Sequence, residues 1–316
     1  DYLWVIFWGI GFTFIYNYYA SLLRAIGNSV VPLWFLGVAV VLNIVLDLLF
    51  ILGCDWGVKG AAWATVVAQV VSGTGLCVYT VWKFPEFRIR REDMCMEWQT
   101  VKEIAVYSSL TCVQQSVMNF GILMVQGLIN SFGIAVMAAF AAAVKIDSFA
   151  YMPVQDFGNA FSTFIAQNFG AGQMKRIRDG IRVAVISATL FCIFISLVVF
   201  GFARPLMLIF VPAHETEIIS IGIQYLRIEG AFYCGIGCLF LLYGFYRGIR
   251  KPGMSVVLTV ISLGTRVALA YTLSAIPAVG VAGIWWSIPI GWFLADVVGV
   301  WYYRKGIYIR IYGKVR

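Results

Sequence analysis

The amino-acid sequence predicts an all-α protein that crosses a membrane several times. Of its 316 residues, 61% are hydrophobic and only 12% are charged, and the mean hydropathy is +0.88. Soluble domains carry about 25% charged residues and interrupt their apolar runs every few positions. A soluble protein of this composition would have no polar surface, so the composition excludes a soluble fold.

Nine apolar segments are long enough to form membrane-spanning helices. They are predicted at residues 2–23, 32–52, 61–82, 104–129, 136–158, 183–211, 222–246, 254–274 and 281–303. Short connections that carry Gly, Pro, Asn or Asp separate them, as at Gly27-Asn28 and Pro277–Gly280. Pro153 is predicted to break or kink the fifth segment.

The basic residues predict the orientation of the spans. Eighteen of the 23 Lys and Arg residues fall in one set of alternate loops, whereas the opposite set holds only Lys59 and Arg204. Cytoplasmic loops carry an excess of Lys and Arg. Residue 1 is therefore expected outside and the C-terminus in the cytoplasm, in the plasma (inner) membrane of a bacterium. Because this distribution accounts for the net charge of +8, no nucleic-acid partner is expected.

The sequence contains an internal repeat at an offset of 223 residues. The first three spans match the last three without a gap, and the identical residues include Tyr2-Leu3 with Tyr225-Leu226, Arg24 with Arg247, Ile26 with Ile249, Leu46 with Leu269, Gly57-Val58 with Gly280-Val281, Gly60 with Gly283, and Trp63 with Trp286. Three further spans precede the second copy. By symmetry, three spans are expected before residue 1, which gives a parent protein of twelve helices in two six-helix lobes. Parallel repeats of this kind are typical of transporters.

This repeat predicts how the chain is organised. Residues 1–84 would form the second half of the N-terminal lobe, and 85–103 a cytoplasmic amphipathic linker along the membrane surface. Residues 104–303 would form the complete C-terminal lobe, and 304–316 a basic cytoplasmic tail. A chain that lacks half of one lobe is not expected to transport by itself.

The first candidate site lies in the second span. Asn43 and Asp47 are four residues apart and therefore share a helix face. A carboxylate in hydrocarbon costs at least about 2.5 kcal/mol, which favours a function. Asn17 and Thr65 in the neighbouring spans add further oxygen and amide groups. This set could hold a proton or Na+ on Asp47. Alternatively, Asp47 binds a neighbouring helix or lies in a wet vestibule.

The second candidate set lies in the later spans. Its members are polar or charged side chains that would line a cavity for a substrate: Gln114, Gln115, Lys145, Asp147, Glu229 and Arg266. Lys145, Glu229 and Arg266 are expected near mid-membrane, where opposite charges usually pair. A structural ion-pair network is therefore the alternative to substrate contact for these three residues.

No catalytic constellation is found in the sequence. The seven cysteines form no CxxC pair or Cys/His cluster, and the single histidine, His214, falls in a polar loop. An integral-membrane enzyme would need a His/Asp, Ser/His or metal arrangement. We therefore expect neither an enzyme nor a metal site beyond Na+ at Asp47.

In all nine spans the chain resembles the multidrug and toxic compound extrusion (MATE) family. The segments that carry the resemblance are RAIGNSVVPL (24–33), LNIVLDLLF (42–50), GVKGAAWATVVAQ (57–69), INSFG (129–133), DSFAYMPVQDFGNAFSTFIAQNFGAG (147–172) and YRGIRKPGMS (246–255). They run in the order of the family's fourth to twelfth helices.

The resemblance implies an antiporter that expels organic, often cationic, compounds in exchange for H+ or Na+ by alternating access. It implies no cofactor beyond the coupling ion. The expected partners are a small organic substrate and membrane lipid, and the expected state is a monomer. Some family members have a cation site in the first lobe. The resemblance implies that the matching residues of this chain are Asn43, Asp47, Thr65 and Asn17. Other members have a glutamate near the position of Met118.

Three alternatives to this function remain open at the level of sequence. A lipid-linked oligosaccharide flippase of the same superfamily would use basic residues for pyrophosphate, which Lys145 and Arg266 could supply. An integral-membrane enzyme is disfavoured, because the sequence contains no His/Asp, Ser/His or metal arrangement that could be catalytic. A receptor is disfavoured by the repeat with acids at mid-membrane.

Overall fold

The computed structural model of the chain describes residues 2–88 and 96–307. Eleven α-helices account for most of these residues: α1 (Tyr2–Ala25), α2 (Val30–Leu48), α3 (Gly57–Lys83), α4 (Trp98–Asn130), α5 (Ile134–Gly170), α6 (Met174–Gly201), α7 (Ala203–Phe210), α8 (Thr216–Gly230), α9 (Tyr233–Gly248), α10 (Pro252–Ser274) and α11 (Val281–Tyr302). π-Helical turns prolong α2 over Leu49–Gly53 and α11 over Tyr303–Ile307, and a 3-10 turn at Pro85–Phe87 follows α3. The described residues contain no β-strand, so the all-α prediction is confirmed.

The number of nine spans is not confirmed. Seven helices of the described residues are long and apolar enough to cross a membrane, and the bent pair α8–α9 would make eight. The first predicted span forms the 24-residue helix α1, which is not among those seven. The three further helices that the repeat predicts before residue 1 remain a prediction.

The sixth and seventh predicted spans are not continuous helices, which corrects the sequence prediction. α6 ends at Gly201 and α7 begins at Ala203. Proline clashes with the carbonyl four residues before it, and Pro205 stands four residues after Gly201, so the interruption lies where this clash would occur. α8 ends at Gly230, α9 begins at Tyr233, and the two helices are bent by 52°. By contrast, α5 is not interrupted at Pro153.

The chain divides into two compact units, Asp1–Glu97 and Trp98–Arg316. In the first unit, α3 packs against both α1 and α2. Most of its buried positions hold small residues, among them Gly60, Ala62, Ala64, Ala68, Ser72 and Gly73. A Cβ at Gly73 would lie 2.6 Å from the Phe12 carbonyl oxygen. Small residues let membrane helices approach closely, and this explains the central place of α3.

In the second unit, α5 is the long central helix. It packs against α6, α8 and α9, while α10 packs against α4 and α11. Gly158 of α5 and Gly244 of α9 each lie against backbone of the other helix, so a side chain at either position would collide with it. The resulting core includes the fully buried Trp285 and Leu258.

The turns related by the repeat share their backbone conformation. Gly57 and Gly280, which are 223 residues apart, have φ angles of 54° and 51°. Gly27 and Arg250, at the same separation, have φ angles of 86° and 62°. This left-handed region is favourable for glycine and unfavourable for arginine. The second copy therefore keeps the turn conformation of the first, although Arg250 stands where the first copy has Gly27.

Two predicted segments fall partly outside the described residues. The predicted linker 85–103 includes residues 89–95, and the predicted basic tail 304–316 includes residues 308–316. Residues 98–103 are the first turns of α4. The predicted domain boundaries, which differ slightly from those of the two units, remain predictions.

Candidate functional site

In the first unit, the polar side chains of α2 and α3 meet. Asn43 donates its Nδ2 hydrogen to Oγ1 of Thr65 over 3.5 Å, and Thr65 in turn donates to the carbonyl oxygen of Ala61 over 3.0 Å. Both side chains are half-buried. With its amino group directed at Thr65, Asn43 keeps its Oδ1 as an acceptor. The contact therefore assembles oxygen groups of two helices beside Asp47.

Asp47 follows Asn43 by one helical turn and has an uncompensated carboxylate. Its Oδ1 is buried and has no hydrogen-bond partner among the described residues. Native proteins rarely leave a buried polar atom unsatisfied, so such an atom calls for a missing ligand or water. A proton or a small cation would satisfy it.

Gln69 is a residue of this region that the sequence analysis did not single out. It follows Thr65 by one turn of α3, and its Oε1 is also buried without a hydrogen-bond partner in the described chain. A side chain at Gly9 would collide with this oxygen, so it lies against the backbone of α1. Its spacing of four residues from Thr65 places both side chains on one face of α3, and this spacing could have indicated Gln69 from the sequence.

Asn17 is not joined to this group. It is exposed on α1, and its Nδ2 donates to the carbonyl oxygen of Thr13 over 2.9 Å. Such a bond to the preceding turn ties the amide to its own helix. Of the four residues predicted for the first site, the structure links Asn43 and Thr65 directly and has Asp47 on the next turn.

In the second unit, two acids lie in one buried cluster. Asp147 of α5 and Glu229 of α8 are only 5% and 3% exposed. The hydroxyl of Tyr233 in α9 donates to Oδ1 of Asp147 over 2.7 Å. Tyr225 of α8 also lies near both carboxyl groups. We call these four residues, together with Arg266, the acidic cluster.

Arg266 of α10 supplies the only positive charge that acts on both acids of the cluster in the described chain. Two carboxylates and one guanidinium leave one negative charge uncompensated if all three are ionised. Glu229 Oε2 and Arg266 Nε are buried and have no hydrogen-bond partner among the residues described. The unsatisfied carboxylate oxygen of Glu229 could therefore accept a proton or a cation.

The break between α8 and α9 positions the acidic cluster. Glu229 precedes the last residue of α8, and Tyr233 is the first residue of α9. Gly230 stands at the break, and glycine has the lowest helix propensity after proline. Discontinuous helices are where transporters commonly bind ions and substrates. The sequence analysis missed this break because it assigned residues 222–246 to one span, although Glu229-Gly230 interrupts the apolar run there.

An aromatic wall supports the cluster. The Tyr225 ring meets Trp285 edge-to-face at 5.0 Å between ring centres, and Phe140 stacks on Trp285 at 5.7 Å. Tyr225 and Trp285 are at most 2% exposed. These contacts fix the position of the Tyr225 ring beside the acidic cluster.

The other predicted substrate residues are dispersed. Gln114 donates to Oγ1 of Thr259 over 3.1 Å and so ties α4 to α10. Gln115 is exposed on α4. Lys145 is exposed as well, and its ammonium group lies 5.9 Å from the ring centre of Phe210. The structure thus groups Asp147, Glu229 and Arg266, and leaves Lys145 outside the group.

Asp296 is a second acid of this unit with an unsatisfied oxygen. Its Oδ1 is buried without a hydrogen-bond partner in the described residues, and the Cys238 thiol lies within hydrogen-bonding reach of its carboxylate. It lies on α11, apart from the acidic cluster. Asp296 is therefore a third acid of this unit whose carboxyl group is at least partly withdrawn from solvent.

Comparison with known sequences identifies the family. The MatE family profile matches residues 110–272. The Bacillus subtilis protein named "Probable multidrug resistance protein YpnP" is 31% identical over 308 residues, which cover 96% of this chain and 67% of that protein. The chain belongs to the MatE family. A Thermotoga maritima "Probable multidrug resistance protein NorM" is 28% identical over 94% of this chain and 64% of that protein. The MATE chain described here thus spans about two thirds of the length of these relatives.

Solved structures share the fold of this MATE chain. A mutant of the Vibrio cholerae MATE transporter VcmN matches with a TM-score of 0.89 at 22% identity, over 98% of this chain and 69% of that one. A MOP superfamily transporter from Pyrococcus furiosus matches with a TM-score of 0.83 at 23% identity, over 94% of this chain and 66% of that one. The resemblance stated from the sequence motifs is therefore confirmed at the level of family and fold.

Proposed function

We propose that this chain is the ion-binding and substrate-binding part of a secondary antiporter. It would expel small organic compounds, often cationic, in exchange for H+ or Na+ by alternating access. The relatives named as multidrug resistance proteins support the export of organic compounds. The exchange mechanism rests on the acids buried within the spans.

The observation that carries the proposal is the unsatisfied carboxylate oxygen of Asp47. Asn43 and Thr65 supply further hard oxygens on the same side of α2 and α3, which are the ligands that Na+ prefers. A coupling ion bound here would neutralise Asp47, and its release would restore the charge. In this scheme an organic cation and the coupling ion compete for one negative charge, which is the requirement for exchange.

The acidic cluster of the second unit has a different role in this proposal. Arg266 compensates one of its two negative charges, and Tyr233 donates a hydrogen bond to Asp147. Uptake or loss of one proton would change the charge next to the bend between α8 and α9. We propose that this protonation biases the angle of the broken helix, while Asp47 binds the coupling ion.

The flippase alternative receives no support from the positions of the basic residues. Pyrophosphate recognition needs arginine or lysine side chains that are free to bind phosphate oxygens. Arg266 lies among two acids, and Lys145 is apart from it. Among the described residues, no three His, Cys, Asp or Glu side chains form a metal site that an enzyme could use.

The proposed setting is the plasma membrane of a bacterium, with residue 1 outside and the C-terminus in the cytoplasm. The coupling ion is the only cofactor proposed. The partners are a small organic substrate and membrane lipid, and the proposed state is a monomer.

The test is ion-driven efflux by the full-length protein in proteoliposomes. Ethidium would be loaded as the organic cation, and outward transport would be driven by an imposed H+ or Na+ gradient. Asp47→Asn keeps the shape of the side chain and removes its charge. We expect this variant to lose ion-driven efflux, and the gradient that supports the unmodified protein identifies the coupling ion.

Asp55→Asn is the matched control, because it makes the same chemical change in the exposed turn before α3. It should leave efflux unchanged. Unaltered ion-driven efflux by Asp47→Asn, in protein that elutes as a single species, would remove Asp47 from the mechanism.

A further inference from the structure

Helix α4 carries a row of polar, uncharged side chains that no other helix of its unit covers. They line a groove of about 650 Å³: Tyr107, Ser108, Thr111, Cys112, Gln115, Ser116 and Asn119. All except Tyr107 are exposed. Their spacing of three, four and seven residues places them on one helix face. We call these seven residues the α4 stripe.

The opposite face of α4 makes the packing contacts. Gln114 bonds to Thr259 of α10, and a Cβ at Gly121 would lie 3.2 Å from Cβ of Leu263. Val125 on the same side is fully buried. The α4 stripe is therefore the side of a well-packed helix that its own unit leaves open.

The amides of the stripe have no partners in the described chain. Gln115 and Asn119 make no side-chain hydrogen bond there, whereas Gln126, further along α4, donates to Asn130 over 3.1 Å. α4 is long and apolar enough to cross a membrane. Free amides facing lipid are strongly unfavourable, because hydrocarbon offers no hydrogen bonds. The stripe therefore needs water, a polar ligand or other polar groups of the protein as partners.

The stripe is also free of charge. No Asp, Glu, Lys or Arg occurs from Ile104 to Asn130. An organic cation that left water for this surface would lose hydration and find no counter-charge. Amides and hydroxyls instead offer both donors and acceptors, which suit hydroxyl and amide groups of a neutral compound.

We propose that the α4 stripe is a water-exposed binding surface for uncharged, hydrogen-bonding groups of the transported compound. This inference rests on the proposed transport function and narrows its substrate class. Compounds with hydroxyl or amide groups bind here through Gln115 and Asn119. A site built for hydrogen bonds discriminates strongly against analogues that lack them. Cations without such groups gain nothing from this surface.

The first experiment uses Cys112, a natural reporter within the stripe. All other cysteines of the full-length protein are replaced by alanine, and labelling by a charged, membrane-impermeant maleimide is timed in proteoliposomes. Cys112 is expected to react, because thiols in water ionise and thiols in hydrocarbon do not. Labelling of Ser108→Cys and Asn119→Cys, each in a background without other cysteines, should follow the same pattern.

Val113→Cys and Phe120→Cys are the matched controls on the apolar side of α4. These positions are 48% and 65% exposed, so access within the protein is not the limitation. They should react at least about tenfold more slowly than Cys112, since lipid covers them. Equal rates on both faces, or no reaction at Cys112, would overturn the proposal. If the cysteine-poor variants fail to fold, mass-spectrometric mapping of the labelled native chain gives the same answer for Cys112.

The second experiment tests the ligand class by protection of Cys112. Chloramphenicol is uncharged and carries two hydroxyls and an amide, whereas tetraphenylphosphonium is a cation without hydrogen-bonding groups. Chloramphenicol is expected to slow the labelling of Cys112, and Gln115→Ala should abolish this protection. Gln126→Ala, the same change outside the groove, should not.

Protection by tetraphenylphosphonium alone, or by neither compound, would overturn the proposed ligand class. These outcomes are distinct from failure of the antiport proposal. If the antiport proposal is wrong, ion-driven efflux would be absent, but Cys112 would still be labelled and chloramphenicol would still slow its labelling.

Discussion

The acids of the two units differ in how far the protein itself compensates their charge. In the first unit, Asp47 is half-buried and keeps an unsatisfied oxygen beside Asn43 and Thr65. In the second unit, Asp147 receives a 2.7 Å hydrogen bond from Tyr233 and lies near Arg266. The protein's own residues compensate the second site in part, through Tyr233 and Arg266, and leave the Asp47 oxygen unsatisfied.

The internal repeat makes this difference instructive. At the offset of 223 residues, Asn43 corresponds to Arg266 and Asp47 to Ala270. The second copy thus has a cation where the first has an amide, and no acid at the position of Asp47. Its acids come instead from α5 and α8. One duplicated helix arrangement therefore carries two different distributions of charge.

The largest expected effect is the loss of the cation in the acidic cluster. Arg266→Ala removes the half-buried guanidinium whose charge acts on both buried acids, and we expect a loss of about 3 kcal/mol, the lower end of the range for removing one partner of a buried ion pair. The measurement is the free energy of unfolding in detergent-solubilised protein. Arg227→Ala removes an exposed arginine that lies 5.5 Å from the Phe200 ring and should cost less than about 1 kcal/mol. Similar losses for both variants would show that the cluster needs no internal cation.

The next effect concerns the hydrogen bond from Tyr233 to Asp147, since Oδ1 of Asp47 has no such bond among the described residues. Tyr233→Phe removes the donor to Asp147, and hydrogen bonds to charged groups contribute about 1.5–3 kcal/mol. Tyr271→Phe is the control, because its hydroxyl makes only a 3.4 Å bond to the carbonyl oxygen of Met124 in an exposed setting. Thermal unfolding of both variants would measure the difference. If Tyr233→Phe is as stable as the control, the compensation inferred for the second unit is wrong.

A comparable effect tests what the two units share. Gly60 and Gly283 are related by the repeat, and a Cβ at these positions would lie 3.0 Å from Cβ of Phe50 and 2.7 Å from Cβ of Leu273. Gly60→Ala and Gly283→Ala should each destabilise by about 1–3 kcal/mol, with the larger loss at Gly283. Gly37→Ala and Gly264→Ala, where nothing lies within 4 Å, are the controls. Equal stability of all four variants would refute the shared packing.

The smallest expected effect sharpens the membership of the first site. Thr65→Val removes one oxygen beside Asp47 and should raise the ion concentration for half-maximal efflux by about tenfold without unfolding the protein. Asn17→Ala should leave that concentration unchanged, since Asn17 bonds to its own helix. Efflux titrated against the coupling ion would measure both. A shift for Asn17→Ala alone would reverse the assignment.

The sequence alone determined the class of this protein and the position of most helices. A backbone in hydrocarbon must satisfy its own hydrogen bonds, so long apolar runs have few structural solutions. The same cost made Asp47 and Glu229 visible as candidates, because acids in such runs are rare. The repeat likewise predicted matching turns, and Gly57 and Gly280 have nearly the same φ angle.

Only the tertiary structure decided which of these residues meet. Asp147 and Tyr233 are 86 positions apart, and no local pattern predicts that their side chains touch. Helix rotation and close approach at glycines decide such contacts, and they also separate Lys145 and Asn17 from the acids. The bend between α8 and α9 was hidden for the same reason. Hydrophobicity indicates which segments are excluded from water, whereas a site depends on which helix faces are turned towards each other.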